Sequence, residues 1–348
     1  VGEAGRPCLL AAWGQREVEP EALPATVETV YDLASLTKAL VTSLLVMKGV
    51  EQGRLHLDGP LGDHLGMLAD RPEVTLRRVL AHSGGFPAHK KFYEGAFAQT
   101  GPTPNHRTAI VEMAQAEPLA YPPGSKSVYS DLGFILLGAL VETCLSDRLD
   151  LLAERLLFRP LRLASTGFVD LTGGEARSRS RGLAFAPTER CPVRGRVVRG
   201  EVHDLNAWAM GGIAGHAGLF GTAGDVLRLG FALCAAYHGR GLDGGEPLVP
   251  PELLREFWRP AGIPGSTWRL GWDGPAAEGS LAGTLLSRRA VGHLSFTGCS
   301  LWIDPERETC AIVLGNRIHP EVRDDARFRA LRPAINDAAL QAIGYQAG

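Results

Sequence analysis

The spacing of apolar residues changes along this chain. From Ser35 to Glu51, Leu36, Leu40, Leu44 and Met47 fall on one face at helical spacing, Ser35 has N-cap chemistry, and Gly53 ends the run. The stretch reads as a buried helix. Periodic stretches predict further helices over 75–82, 106–116, 132–145, 150–158, 222–238 and 250–258, with a closing helix over 322–343. Strand-like runs lie near the ends, at 6–16, 267–273 and 289–294, and at 298–304 with 309–315 as a hairpin about Asp304-Pro305-Glu306-Arg307. Between 167 and 221 the chain is rich in Gly and Arg and has few periodic segments, which marks a long irregular region. Strands at both ends with helices between them predict an α+β fold, an α/β sandwich. Its antiparallel sheet is built from the N- and C-terminal segments, flanked by helices, and a mostly helical domain is inserted. The expected units are 1–55 with 222–348 for the sheet domain and 56–221 for the insertion, with an active site in the cleft between them.

Composition narrows the function classes. The chain has 348 residues, 36 basic against 38 acidic, for a net charge of −2, and 45% of its residues are hydrophobic. Ample apolar surface for a core and the absence of a basic excess argue for a globular protein that is not a dedicated nucleic-acid binder. No apolar run reaches the roughly 18 residues of a spanning helix, so no membrane span is expected, and no signal peptide is visible. Six cysteines, Cys8, Cys144, Cys191, Cys234, Cys299 and Cys310, are dispersed without a CxxC pair, which excludes zinc-finger and thioredoxin-like readings. Cys144, Cys234 and Cys310 lie in apolar runs and are expected to be core thiols. Of the 36 basic residues only five are lysines, Lys38, Lys48, Lys90, Lys91 and Lys126. Arginine keeps its proton in proteins whereas a desolvated lysine can lose it, so a lysine in an apolar setting is a candidate for chemistry.

Three short constellations carry chemistry. Ser35-Leu36-Thr37-Lys38 places a hydroxyl and an amine one helical turn apart on one face, among apolar neighbours. A lysine in such a site can take a serine proton; the alternative is a helix cap and a lysine reaching to solvent. Tyr129-Ser130-Asp131 follows a Pro/Gly loop and precedes an apolar helix, where a tyrosine can project into a cleft and act as a base. Alternatively, Tyr129 is a rim residue and Ser130 or Asp131 caps the helix. Gly292-His293-Leu294-Ser295-Phe296-Thr297-Gly298 runs from a predicted strand into a hairpin. Its backbone N–H groups can hold an oxyanion, and its flanking glycines suggest close backbone approach.

In this order, together with YDLASLTKALVT, LAHSGGFP, PPGSKSVYSDLGFILLGALVE and VGHLSFTGCSLWIDPE, these elements resemble the serine β-lactamase and penicillin-binding-protein superfamily. The branch is that of class C β-lactamases, D,D-peptidases and family VIII-type esterases, and the similarity spans roughly residues 28–316. The resemblance implies the β-lactamase/transpeptidase-like fold and an acyl-enzyme mechanism without metal or cofactor. It implies Ser35 as nucleophile, Lys38 as its proton acceptor or electrostatic partner, and Tyr129 as the base that activates water for deacylation. The backbone N–H groups of Ser35 and Phe296 would form the oxyanion hole, and Asp131, His293, Ser295 and Phe296 would bind substrate.

Several departures from the family pattern bear on substrate. Asp131 stands where the family has Asn, and a carboxylate cannot donate to a substrate carbonyl. His-Leu-Ser replaces Lys-Thr-Gly, which weakens the grip on a substrate carboxylate, and Ser295 narrows the approach to the strand. These changes point toward a less charged ester or amide. The family also carries an N-terminal helix and another strand before the equivalent of 6–16, where this sequence has almost no residues. The segment 203–221, with His203, Asp204 and His216, is by similarity a loop bordering the cleft. His203 and Asp204 are expected to brace it as a pair, and Arg190, Arg194, Arg196 and Arg199 to form a solvated basic surface.

The leading expectation is a serine hydrolase acting on a small-molecule ester, amide or peptide. The rivals are a D,D-peptidase or weak β-lactamase, and a catalytically silent relative that binds a partner or builds a scaffold. Composition and dispersed cysteines lean toward a cytoplasmic bacterial protein; oligomeric state is open.

Overall fold

The computed structural model describes residues 1–94, 100–173, 182–323 and 326–345. The strands in chain order are β1 (Gly2–Glu3), β2 (Arg6–Pro7), β3 (Gln15–Glu17), β4 (Leu23–Pro24), β5 (Tyr31–Asp32), β6 (Gly167–Phe168), β7 (Arg190–Cys191), β8 (Arg196–Val197), β9 (Leu219–Gly221), β10 (Val291–Leu294), β11 (Ser300–Asp304) and β12 (Thr309–Val313). The helices are α1 (Leu44–Glu51), α2 (Leu76–Leu80), α3 (Pro104–Ala116), α4 (Asp131–Leu145), α5 (Leu149–Ala153), α6 (Leu205–Ala209), α7 (Ala223–Tyr237), α8 (Pro251–Phe257) and α9 (Ala326–Gln341). Residues 174–181 of the expected irregular region and 324–325 of the expected closing helix lie outside the described residues.

The main sheet is antiparallel in the order β10-β11-β12-β1-β2, so the two ends of the chain build it together. Alternate residues of β12 face opposite layers. Cys310 looks toward α7, where Gly230 is close enough that a Cβ would lie 3.3 Å from its sulfur. Ala311 looks the other way, into a cluster with Val1, Leu285 and Leu340 of α9. The sheet is therefore sandwiched between α7 and α9, as an α+β fold of the expected kind. A second, three-stranded sheet of order β5-β9-β6 lies just before the Ser35 turn.

Helix α4 buries Leu132, Phe134, Ile135, Leu136, Leu137, Leu140, Val141 and Leu145. These apolar residues cover nearly every face, the mark of a helix at the centre of a domain. Ser130 caps the helix, its hydroxyl accepting from the Gly133 N–H at 3.2 Å. One turn further, a Cβ at Gly138 would lie 2.9 Å from the Gly215 backbone. That close approach seats the 215–216 segment against α4. The stretch ahead of α1 is helical from Leu36, with a π-helical segment over Lys38–Ser43 that buries all six of its residues. Such segments recur at functional sites.

Two expected strands are corrected. In 6–16 only Arg6–Pro7 and the start of β3 pair. The chain reverses earlier, at Ala4-Gly5, both with positive φ, and this turn sets the β1–β2 register. Leu10 and Trp13 of the leftover apolar run stay exposed. In 267–273 only Asp273 bridges, to Gly292. The segment turns at Gly271, whose φ is +79° and whose N–H donates to the Leu80 carbonyl, with Ser43 packed where a side chain would stand. All six cysteines are free thiols; Cys234 and Cys310 are buried as expected, but Cys144 is only partly so. Among the described residues no helix is long and apolar enough to cross a membrane.

Candidate active site

The Ser35 turn is built by its neighbours. Ala34 adopts a left-handed conformation with φ +44°, uncommon for a residue with a side chain. The buried Asp32 carboxylate holds this turn, accepting from the N–H of Ala34 at 2.8 Å and of His203 at 2.6 Å. Burial pushes its pKa up. Ser35, expected as a cap, turns its hydroxyl to Lys38 Nζ, 3.2 Å away. Lys38 is fully buried, which removes the reading of a lysine reaching to solvent.

Lys38 Nζ has two more partners, the His216 carbonyl at 2.9 Å and Asp131 Oδ1 at 2.8 Å. Burial alone would lower its pKa; Asp131, with Tyr129, reverses this and holds the ammonium well above its ordinary range. Because Ser130 caps α4, Asp131 is released to make this ion pair. Burial would raise the Asp131 pKa, but Lys38, His89 and His216 pull it well below the carboxylate range. The other carboxylate oxygen, Oδ2, meets His89 Nδ1 at 3.2 Å. That bond raises the His89 pKa against the opposing effect of burial. The Tyr129 ring lies 4.8 Å from Lys38 Nζ, measured to its centroid. Burial raises the pKa of its phenol, and Lys38 partly offsets this.

On β10, His293 is buried and its Nδ1 donates to the Leu294 carbonyl at 2.7 Å. Burial, then the nearby Lys38 charge, pushes its pKa down to about 3, so the imidazole is neutral at pH 7. It packs near Tyr129 and Trp268, with ring centroids 6.0 and 5.5 Å away. Ser295 turns away from this group. Its hydroxyl lies 2.9 Å from Thr297 Oγ1 and accepts from the Cys299 N–H at 3.0 Å, bracing the hairpin. Phe296 is half exposed, stacked on His203 with Arg317 over its ring.

Ser35, Lys38, Tyr129, Asp131 and His293 thus come together, whereas the Ser295 side chain serves the turn. His203 and Asp204 do not pair with each other. His203 meets Glu189 at 3.1 Å, and Asp204 caps α6 and meets His216 at 2.8 Å. Burial would raise the Asp204 pKa, but His216 pulls it down to about 2. The expected basic surface is mostly neutralised: Arg190, Arg196 and Arg199 pair with Glu19, Glu201 and Glu17. Arg194 is only partly exposed: it lies over the Trp208 ring and donates to the His203 carbonyl at 3.1 Å. The site roles of Asp32, His89 and His216 have no local signal in the sequence; each acts on a residue brought to it by the fold.

The family model described as Beta-lactamase matches residues 1–334. A putative D-alanyl-D-alanine carboxypeptidase of Escherichia coli is 33% identical over 340 residues, covering 90% of this chain and 76% of that protein. One from Salmonella agona is 31% identical over 341 residues, covering 89% and 76%. Among solved structures, EstCE1, a hydrolase with promiscuous acyltransferase activity, superposes with a TM-score of 0.69 at 21% identity, covering 97% of this chain and 91% of that one. The octameric penicillin-binding protein homologue from Pyrococcus abyssi gives 0.70 at 20% identity, covering 99% and 72%.

Proposed function

The chain belongs to the β-lactamase family and is a hydrolase of that family, and on that premise we propose that it cleaves small esters or amides through an acyl-enzyme on Ser35. The observation that carries this reading is the 3.2 Å approach of Lys38 Nζ to the Ser35 hydroxyl inside a buried site. Ser35 Oγ attacks the acyl carbonyl and gives its proton to the Lys38–Tyr129 pair. The backbone N–H groups of Ser35 and Phe296 receive the oxyanion. The leaving group takes a proton as its bond to the acyl carbon breaks, and water activated by Tyr129 then releases the acid. The reacting groups come from both expected units, Ser35, Lys38 and His293 from one and Tyr129 and Asp131 from the other, which supports a cleft between them.

Neutral His293 offers no charge to a substrate carboxylate, which favours uncharged acyl groups. A second reading, D,D-carboxypeptidase, is favoured by the names of the curated relatives. Turnover of p-nitrophenyl acetate and of a peptide ending in D-Ala-D-Ala is to be compared for the wild type and Ser35→Ala, with intact mass reporting the acyl-enzyme. Activity that disappears in Ser35→Ala supports the serine mechanism, and the preferred compound separates the two readings. Unchanged turnover in the variant would overturn both.

A further inference from the structure

Lys38 poses a problem for acylation. An amine must be neutral to accept the Ser35 proton, yet the Asp131 carboxylate 2.8 Å away keeps Lys38 charged. The same carboxylate is held on its other oxygen by His89. Side-chain exposure rises along this line, from 0% at Lys38 to 19% at Asp131 and 43% at His89. We propose that His89 is a positioning residue, the solvent end of a Lys38–Asp131–His89 relay that lets the buried lysine shed its proton before acylation. The inference rests on the reading of Ser35 as nucleophile.

The proton balance is simple. With His89 neutral and its hydrogen on Nε2, Nδ1 is free to accept: the Lys38 ammonium gives a proton to Asp131 Oδ1, the carboxyl group turns to present that proton to His89, and Nδ1 takes it. The products are a neutral amine, a carboxylate and an imidazolium, with no change in net charge. The amine then takes the Ser35 hydroxyl proton as Oγ bonds to the acyl carbon. Other charged and titratable groups face the relay. Asp204 raises the His89 proton affinity and Lys38 lowers it, while His216 acts on Asp131 and Tyr129 on Lys38. His82 and His293 are buried and their pKa values are lowered, so both stay neutral. Lys90 and Lys91, beside His89 in sequence, are paired with Glu117 and Glu94.

The test is the pH profile of kcat/KM for p-nitrophenyl acetate from mildly acidic to mildly alkaline pH, for the wild type, His89→Gln, His89→Asn and Ser35→Ala. In the wild type the rate rises as His89 loses its proton and then levels. In both His89 variants only the lysine itself can lose the proton, so the rate keeps rising with pH, and at neutral pH it falls roughly tenfold below wild type. Thermal melts report whether each variant is folded, and the partial exposure of His89 favours folding of both. A lower plateau with the rising limb in its wild-type place would overturn the relay and leave His89 a structural contact. If Ser35→Ala keeps its turnover, the nucleophile reading fails and the relay with it. If Ser35→Ala is inactive while the His89 limb does not move, the relay alone fails.

Discussion

Replacing Asp131 by Asn removes the carboxylate from a fully buried lysine while keeping the shape of the side chain. Taking one partner from a buried ion pair costs about 3–5 kcal/mol, because the remaining charge is left unpaired. Lys38 can limit that cost by giving up its proton, which leaves a signature in pH. In the wild type the folded pKa of Lys38 lies above its unfolded value. Between about pH 8 and 9.5 both states therefore hold the proton, and Lys38 contributes no slope. In Asp131→Asn, burial acts without its opponent and the folded pKa drops below the unfolded one. The unfolded chain then binds a proton that the folded chain lacks, and stability rises with pH by up to about 1.4 kcal/mol per unit. Across this window the variant should regain about 2 kcal/mol relative to wild type. Urea unfolding of both proteins at the two ends of the window measures it, and taking the difference cancels groups common to both. Parallel pH dependence in the two proteins would refute the argument that Asp131 governs the charge of Lys38.

Asp204 has a folded pKa of about 2, below its unfolded value, so its contribution is present above roughly pH 4 and is lost as pH falls toward 2. Asp204→Asn should therefore flatten the loss of stability between about pH 5 and 2.5 by about 1.5 kcal/mol, read by urea unfolding; an unchanged acid limb would show that His216 does not hold this carboxylate down. Gly292→Ala would push a Cβ into the Trp302 ring and the Leu301 carbonyl across the β10–β11 pairing. It should cost about 1–3 kcal/mol and lower ester turnover by shifting His293; a variant as stable as wild type would show that the sheet yields there.

The elements that follow from local spacing were legible in the sequence. The periodic faces of α1 and α4, the β11–β12 hairpin and the one-turn Ser35–Lys38 spacing each depend on residues a few positions apart, where backbone geometry decides which side chains meet. The likeness of the three motifs to the family belonged to the same local text. What Lys38 pairs with did not. That Ser130 rather than Asp131 caps α4, that the freed carboxylate reaches Lys38 and His89, and that His293 is buried deeply enough to stay neutral all follow from how α1, α4 and β10 pack together. The strands expected at 6–16 and 267–273 failed for a related reason: turns at Ala4-Gly5 and Gly271, shaped by contacts with distant residues, overrode the apolar pattern. Backbone periodicity is a property of neighbours in the chain, whereas the charge of a buried group is set by whatever the fold brings within a few ångströms of it.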